Sequence, residues 1–240
     1  TDVWVGRLAG QPDSEVVLVA HEGQLIGNIR SASGSFYTLR PLAEGQFELR
    51  AVSAEEAARG LEGIGLEGAL GPVAGAAAAA TPSALTPPLM VVPSTIDVLV
   101  AYTTAAKTAA GGDSAIRARI ALAIAEANLA LTTSLVNATF RLVGTKEVTP
   151  VSGVAEGPTP GYLADVTVDP SIIAERNATG ADLVSVWING TGAAGGGAAA
   201  AGWIMSTPGP AFAPTAYSVV EMNFALGPHY LFGRGLGQNM

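Results

Sequence analysis

Cysteine is absent from the 240-residue chain, and histidine occurs only twice, at His21 and His229. Without cysteine there is no disulfide framework, no thiol nucleophile and no thiolate ligand for a metal ion. The two histidines also lack the i, i+4 spacing that a two-histidine zinc site on a helix requires. The residues as they stand therefore contain no complete zinc-binding motif.

Charge is scarce as well. Charged residues make up 13% of the chain, about half the usual share, and the formal net charge is −8. Nucleic-acid binding requires clustered lysine and arginine, and this chain has only 12 such residues, scattered along its length. The sequence has no run of eighteen or more large apolar residues, so it predicts no membrane-spanning helix. We therefore expect neither nucleic acid nor a membrane among the partners.

The sequence divides into two blocks and a linker. Residues 1–52 alternate short apolar runs with turn signals such as His21-Glu22-Gly23, which predicts a small antiparallel β-meander. Residues 53–94 begin with a predicted short helix near Ala54–Arg59 and are then dominated by alanine, glycine and proline. That composition is typical of a linker, or of a processing region between two folded units. The second block comprises residues 95–240.

The second block has an α/β pattern. "TIDVLVAY", "ATFRLVG" and the strongly apolar "ADLVSVWIN" are predicted strands, and two predicted helices lie between them. The first helix, "DSAIRARIALAIAEANLALTTSL", is long and amphipathic, with Asp113 or Ser114 as its N-cap. "WIMS" and "AYSVV" are predicted short strands further along. We therefore predict an α/β fold: a five-stranded, mostly parallel twisted sheet with two long helices, preceded by the small meander.

Catalytic groups are hard to find from the residues alone. Ser218, His229 and Asp182 are the types needed for a Ser–His–Asp arrangement, but their spacing does not support one and no G-x-S-x-G motif is present. Three acids of the second block are predicted to be surface charges and helix caps: Asp165, Asp169 and Glu175. Residue chemistry by itself indicates no active site.

From Ile96 onward the order of segments resembles the bacterial secreted metzincins, and more narrowly the reprolysin-like metalloendopeptidases that include the peptidyl-Asp type. "IDVLVAYTTAAKTAAGG" resembles the family's opening strand and turn, and "ARIALAIAEANLALTTSLVNATFRLVG" resembles its long helix and second strand. "WVGRLAG" and "YTLRPL" in residues 1–52 resemble the pro-region of the same proteins. The resemblance implies a secreted zinc metalloendopeptidase precursor that begins at Thr1 after loss of its signal peptide.

The zinc motif of that family is altered in this chain. Where the family has "FGHELGHNM", this sequence has "FGRGLGQNM". The resemblance places Arg234 at the first zinc histidine, Gly235 at the catalytic glutamate and Gln238 at the second histidine, with the third histidine expected beyond Met240. Zinc is the family's cofactor, but arginine cannot ligate a cation, glutamine is a poor ligand and glycine has no carboxylate. Glycines also weaken this helix, by about 1 kcal/mol each relative to alanine, at Gly233, Gly235 and Gly237.

The resemblance also implies where a protein or peptide substrate would bind. "GWIMSTPGPAFAPTAYSVVE" resembles the edge strand that holds the substrate as an added strand, and the segment that leads into the active-site helix. The implied substrate-binding residues are Gly202, Trp203, Ile204, Met205 and Ser206. Residues 1–52 are expected to pack on the catalytic block as a pro-region and to cover the cleft sterically, since no cysteine is available to block zinc.

Three explanations of the altered motif remain open. The first is a catalytically dead pseudo-protease that binds peptides, or that serves as a structural or assembly subunit whose N-terminal strands pair between copies. The second is deliberate inactivation of a protease. The third is that residues 234, 235 and 238 have been misread. The small-residue runs "AAGGGAAAA" and "VAGAAAAATPSA" are consistent with such misreading. The sequence leaves cleavage specificity, maturation site and oligomeric state open.

Overall fold

The computed structural model describes residues 1–42, 45–62, 93–149, 155–190, 198–205 and 209–240. Most of the predicted linker, residues 63–92, and Ser206 of the predicted substrate strand lie outside the described residues. Among the described residues, no helix is both long enough and apolar enough to cross a membrane.

The first block is a five-stranded antiparallel meander in the order β1-β2-β3-β4-β5, as the sequence predicted. Its strands are β1 (Asp2–Gly6), β2 (Glu15–His21), β3 (Gln24–Arg30), β4 (Phe36–Pro41) and β5 (Phe47–Val52), and helix α1 (Ala54–Glu62) follows. The hairpin between β2 and β3 turns at Glu22 and Gly23, whose φ angles of 46° and 80° are those of a tight primed turn.

The second block contains five strands and six helices among its described residues. In chain order they are β6 (Ser94–Thr103), α2 (Thr104–Ala110), α3 (Asp113–Thr133), β7 (Ala138–Val148), α4 (Pro160–Thr167), α5 (Pro170–Thr179), β8 (Leu183–Ile188), β9 (Ala200–Gly202), β10 (Tyr217–Glu221), α6 (Met222–Ala225) and α7 (Leu231–Gln238). A 3₁₀ turn at Pro210–Thr215 precedes β10.

The strand order of this second sheet is β7-β6-β8-β10-β9. The first three pairings are parallel, and β9 is antiparallel to β10, so the sheet is mixed but mostly parallel. Alternate residues of β8 face opposite layers. Trp187 packs in the layer that holds α3 and α7, whereas Val186 packs with α4 and α5. The meander lies on α3, where Val17 and Val19 join the same core.

Local sequence signals explain several helix ends. Asp169 caps α5 by accepting hydrogen bonds from two backbone N–H groups, and Gly180 ends that helix with φ 68°, as is usual for a C-terminal glycine. The predicted cap of α3 is wrong by one residue. Gly112 precedes the helix with φ 112°, and Asp113 lies inside the first turn.

The prediction of two long helices is only half right. Helix α3 has 21 residues, but every other described helix has ten or fewer. Helices α2 and α4 were not predicted from the sequence. Helix α2 forms because Thr103 accepts a hydrogen bond from the N–H of Ala106 and Gly111 ends the helix in the left-handed conformation.

Candidate functional site

Helix α7 carries the altered motif, and large apolar side chains hold it in place. Phe232 and Leu236 are fully buried. The ring of Phe232 meets that of Trp187 edge-on, with 5.7 Å between the ring centroids and 74° between their planes. A helix this short with three glycines has little intrinsic stability, so tertiary packing accounts for its formation.

The three glycines of α7 have different surroundings. A Cβ atom at Gly235 would lie only 3.2 Å from the Cβ of Ser218 on β10, and one at Gly233 would lie 3.4 Å from the Cβ of Ala127 on α3. A Cβ atom at Gly237 would have no neighbour within 4 Å among the described residues. Gly235 therefore allows α7 to approach β10 closely, whereas Gly237 meets open space.

Strand β9 lies at the outer edge of the sheet. Its ladder with β10 is marked by two hydrogen bonds: Glu221 N–H donates to the carbonyl of Ala199 over 2.9 Å, and Trp203 N–H donates to the carbonyl of Tyr217 over 3.2 Å. In an antiparallel ladder, alternate residues point their backbone groups at the partner strand. The odd-numbered residues 199, 201 and 203 therefore face β10.

The even-numbered residues of β9 have the opposite orientation. The N–H and C=O groups of Ala200 and Gly202 point away from β10, toward the side of the strand where no other described strand pairs. Ala200 is partly exposed and Gly202 is buried, so this edge presents one donor and one acceptor, those of Ala200, in the orientation of a β-ladder.

The chain after β9 is held by the end of α7. Asn239 is buried, and its Nδ2 donates to the carbonyl of Trp203 over 2.6 Å and to that of Tyr217 over 3.4 Å. Met205 N–H donates to the carbonyl of Gln238 over 3.1 Å. These contacts replace strand pairing, so the predicted strand "WIMS" is wrong in its bounds. Between residues 198 and 205, the described part of this segment, the strand is Ala200–Gly202.

The structure places the predicted substrate-binding residues in different environments. Gly202 is buried, with the side chain of Gln238 beside it, while the Nε1 of Trp203 donates to the Oγ1 of Thr167 over 2.8 Å. Ile204 is exposed. A cavity of about 940 Å³ opens beside Met205 and Asn239, with α5 as one wall. Ser206 lies outside the described residues.

Arg234 and Gln238 stand one turn apart on α7, the spacing at which side chains share a helix face. The Oε1 of Gln238 lies 3.3 Å from the position that a Cβ on Gly202 would take, so this face borders β9. Arg234 is exposed, and within the described part of the chain its side chain has no ion pair.

These residues do not fit a zinc ion. Arg234 is a cation, Gln238 offers only a neutral amide, and Gly235 is buried against Ser218 and carries no carboxylate. Within the described ranges, no cluster of three or more histidine, cysteine, aspartate or glutamate side chains could hold a metal ion.

The Ser–His–Asp arrangement is not assembled. Ser218 donates to Ser185 over 3.2 Å, and a carboxylate oxygen of Asp182 accepts from the N–H of Asp97 over 2.8 Å. The imidazole of His229 lies 3.3 Å from the carbonyl oxygen of a residue of α1. Each candidate is thus engaged elsewhere in the fold.

Two acids of the described residues, Glu126 and Glu221, are buried, and neither was predicted from the sequence. Glu126 on α3 accepts a hydrogen bond from Asn28 Nδ2 of the meander over 2.5 Å and another from the N–H of Gly227 over 3.0 Å. Burial raises the pKa of Glu126 to about 7. The available signal was a single acid within the apolar face of the long helix, where carboxylates are seldom found unpaired.

No protein-family model matches the sequence, and no curated protein matches it either. Among solved structures, the fold is similar to metalloproteinase-II from Bacteroides fragilis, with a TM-score of 0.52 and 10% sequence identity over 99% of this chain and 71% of that chain. A chain from the structure of a chaperone–substrate complex aligns with a TM-score of 0.47 and 18% identity. That alignment covers 60% of this chain but only 23% of that chain. This chain therefore has a metalloprotease-like fold.

Proposed function

We propose that this chain is a catalytically inactive relative of the metzincins that binds protein or peptide segments along β9 by strand addition. The observation that carries the proposal is the edge of β9, where the backbone groups of the partly exposed Ala200 point outward and no other described strand pairs. The metalloprotease-like fold supports it, because the named neighbour is a metalloproteinase.

Backbone hydrogen bonds at this edge can contribute only a limited binding free energy to strand addition. The two outward backbone groups of the partly exposed Ala200 can form up to two hydrogen bonds, each with a net contribution of about 0.5–1.5 kcal/mol. Ordering the peptide opposes binding, so backbone pairing alone gives an affinity no better than about millimolar. Side-chain contacts must therefore contribute, and the cavity beside Met205 and Asn239 provides space for a side chain.

The test is binding of a synthetic library of random N-acetylated hexapeptides, half with a free C-terminal carboxylate and half amidated. Bound members are identified by mass spectrometry after size exclusion and are then resynthesised with N-methyl groups on alternate residues. Strand addition predicts that one of the two alternating methylation patterns abolishes binding and that the other is tolerated. Equal tolerance of both patterns, or no binding by any member, would contradict the proposal.

Peptide hydrolysis is the rival function, and a measurement of zinc binding distinguishes it from peptide binding without catalysis. A secreted zinc metalloendopeptidase precursor requires ligands that Arg234 and Gln238 cannot supply. We expect no stoichiometric zinc binding in equilibrium dialysis and no cleavage of a casein substrate. One equivalent of tightly bound zinc per chain, together with cleavage, would favour the active enzyme over the pseudo-protease.

We also propose that the protein is secreted and that residues 1–52 are a pro-region, with residues 53–94 as the processing segment. The packing of the meander on α3 as a separate sheet supports this assignment, since a separate layer can be removed without cutting the second sheet. N-terminal sequencing of the protein recovered from culture medium tests it. Recovery of chains that start between residues 53 and 94 is the expected result.

A second candidate function, self-assembly, is favoured by the exposed apolar side chains on the two edge strands of the meander. They are Val3, Trp4 and Val5 on β1, and Phe47 and Leu49 on β5. Pairing of these edges between copies would bury them. Sedimentation velocity over a range of concentrations checks this: large particles are expected of an assembly subunit, and a single monomer boundary would exclude it.

A further inference from the structure

We propose that the outer face of the meander, the face turned away from α3, docks against the same face of a second copy of this chain. The side chains of the outer face alternate along β1–β5 with those that point inward to α3. The inference does not depend on peptide binding at β9. It rests on the self-assembly candidate and assigns to it a surface other than the strand edges.

The register of the five strands defines the outer face. Residues directly opposite each other in an antiparallel ladder lie on the same face of the sheet. The central row of the outer face crosses all five strands and consists of Trp4, Leu18, Gly27, Leu39 and Leu49. The flanking rows consist of Gly6, Val16, Ile29, Tyr37 and Ala51 on one side, and of Asp2, Ala20, Leu25, Pro41 and Phe47 on the other. Asp2 carries the one charge in these three rows.

Part of the inner face is polar, although that face packs on α3. The inward residues include Asn28 and Thr38, which are buried, and Arg40, Glu48 and Arg50. A sheet with one face on a core and the other in water normally shows the reverse pattern, with its polar side chains outside. The pattern of the meander therefore indicates an outer face that is suited to burial rather than to water.

In the described part of the chain, the outer face lies outside both buried cores. The inner face contributes residues to the core shared with α3, whereas no member of the three outer rows belongs to either core. Helix α1 follows β5 on the inner side, where Glu56 pairs with Arg50 over 2.8 Å. Trp4, Phe47 and Leu49 are 52%, 44% and 58% exposed. An apolar patch of this extent usually marks an interaction site.

Two side chains flatten the outer face. The ring of Trp4 lies over Gly6, and the side chain of Leu18 lies against Gly27, so a Cβ at either glycine would collide with them. A flat apolar sheet offers no groove for an extended peptide or a helix. Two such sheets instead pack face to face, about 10 Å apart, with their strands roughly aligned. The matching surface is therefore another flat apolar sheet face, and a second copy supplies one.

Area and charge favour a second copy as the partner. Five strands about 4.8 Å apart, with about six residues each at about 3.3 Å per residue, span roughly 24 by 20 Å. Face-to-face docking of two copies would therefore bury about 1,000 Å² in total, the lower bound for a specific interface. Two copies that each carry a net charge of −8 repel each other, so they meet most easily through a face with one charge per copy. We therefore expect a weak dimer, with a dissociation constant on the order of 10–100 μM.

Sedimentation velocity of the full chain, over concentrations that bracket this dissociation constant, measures the association. Leu39→Glu places a charge near the centre of the outer face and removes no residue of the two cores. The monomer should therefore stay folded, which circular dichroism checks, while the dimer should weaken at least about tenfold. Ala32→Glu adds the same charge in the exposed turn between β3 and β4, off the outer face, and is the matched control. Its dissociation constant should equal that of the unsubstituted protein.

A second pair of variants tests the outer face without adding a charge. Because the chain has no cysteine, Leu39→Cys introduces a single thiol on the outer face and Ala32→Cys introduces one away from it. The rate at which a maleimide labels Leu39→Cys should fall as the protein concentration rises through the dissociation constant. The rate for Ala32→Cys should stay constant.

Large particles that persist in Leu39→Glu would overturn docking through the outer face and would favour pairing of the strand edges. Monomers at every concentration would overturn both modes of self-assembly, while peptide binding at β9 would be unaffected. A monomeric Leu39→Cys protein that resists labelling would show that another part of the chain covers the outer face, which would also overturn the proposal.

Discussion

The carboxyl group of Glu126, a residue of α3, is enclosed where the meander packs on this helix, beside a cavity of about 300 Å³. Asn28 and the N–H of Gly227 donate to its two oxygens, which favours the ionised form, but burial outweighs them and raises the pKa to about 7. The nearby Arg40 has its own pKa lowered to about 10, again by burial. Desolvation therefore dominates the electrostatics of this contact.

The raised pKa of Glu126 predicts that the free energy of unfolding falls as the pH rises. The folded chain holds the proton up to about pH 7, whereas the unfolded chain releases it near pH 4.5. The contribution is therefore fully present below pH 4.5 and is lost as the pH rises through 7, at a cost of about 3 kcal/mol. Urea unfolding at a series of pH values measures this slope.

Glu126→Gln should flatten the curve between pH 4.5 and 7, because its side chain does not titrate. Glu48→Gln, at an exposed position on β5, is the control, and its curve should run parallel to that of the unsubstituted protein. A Glu126→Gln curve that retains the full slope would show that another group is responsible.

Asn239 is a second residue whose side chain links elements. Its Nδ2 satisfies the carbonyls of Trp203 and Tyr217 in a buried position. Asn239→Ala should lower the free energy of unfolding by about 1–3 kcal/mol, because both carbonyls lose a buried donor. The exposed Asn223→Ala is the control, and urea unfolding measures both. A loss no larger than that of the control would show that water replaces the amide.

Among the elements, α7 offers a paired prediction from two of its glycines. Gly237→Ala should stabilise the protein by about 1 kcal/mol, because the new methyl group enters open space and alanine favours the helix. Gly235→Ala should give no gain or a loss, because its methyl group would press on Ser218 at 3.2 Å. Thermal unfolding of the two variants checks the difference. Equal shifts would mean that α7 does not approach β10 this closely.

Apart from β9, the strands of both sheets were predictable from their apolar runs, and α3 was predictable from the length of its apolar segment. The amphipathic pattern predicted for α3 is wrong, because residues on opposite faces of the helix, such as Ile116 and Ala118, are both buried.

Helix α2 was not predictable, because "TAAKTAA" has no large apolar residue to mark a face, and its boundaries depend on Thr103 and Gly111. The bounds of β9 were predicted wrongly since they depend on contacts with α7, which is distant in sequence. The sequence predicts that Gly235 weakens a helix. That Gly235 also lets α7 approach Ser218 closely could not be predicted from the sequence, because it depends on the folded arrangement.

At the scale of the whole molecule, one core joins the two blocks. Val17, Val19 and Ile26 of the meander pack in the same cluster as Ile120 and Leu122 of the second block. A shared core of this kind predicts cooperative unfolding of the two sheets.

Ile26→Ala should therefore lower the stability of both sheets by about 2–5 kcal/mol, although the residue lies in the meander. Hydrogen exchange of the amides in β3 and in β6 measures the effect on each sheet separately. Leu49→Ala, at an exposed position on β5, should change neither sheet. Loss of protection in β3 alone would show that the blocks unfold independently.

The contact at Glu126 has one further consequence. Gly227 and Tyr230 lie in the turn that leads into α7. The meander reaches this turn directly through the ring of Phe36, whose centroid is 6.4 Å from that of Tyr230, and indirectly through Asn28, which donates to the same Glu126 of α3 that accepts from Gly227. Detachment of the meander would withdraw the ring of Phe36 and leave Glu126 without the hydrogen bond from Asn28. The conformation of the turn would then depend on whether the N-terminal block is attached. The position of α7, which carries Arg234, would change after a cut made far from it in sequence.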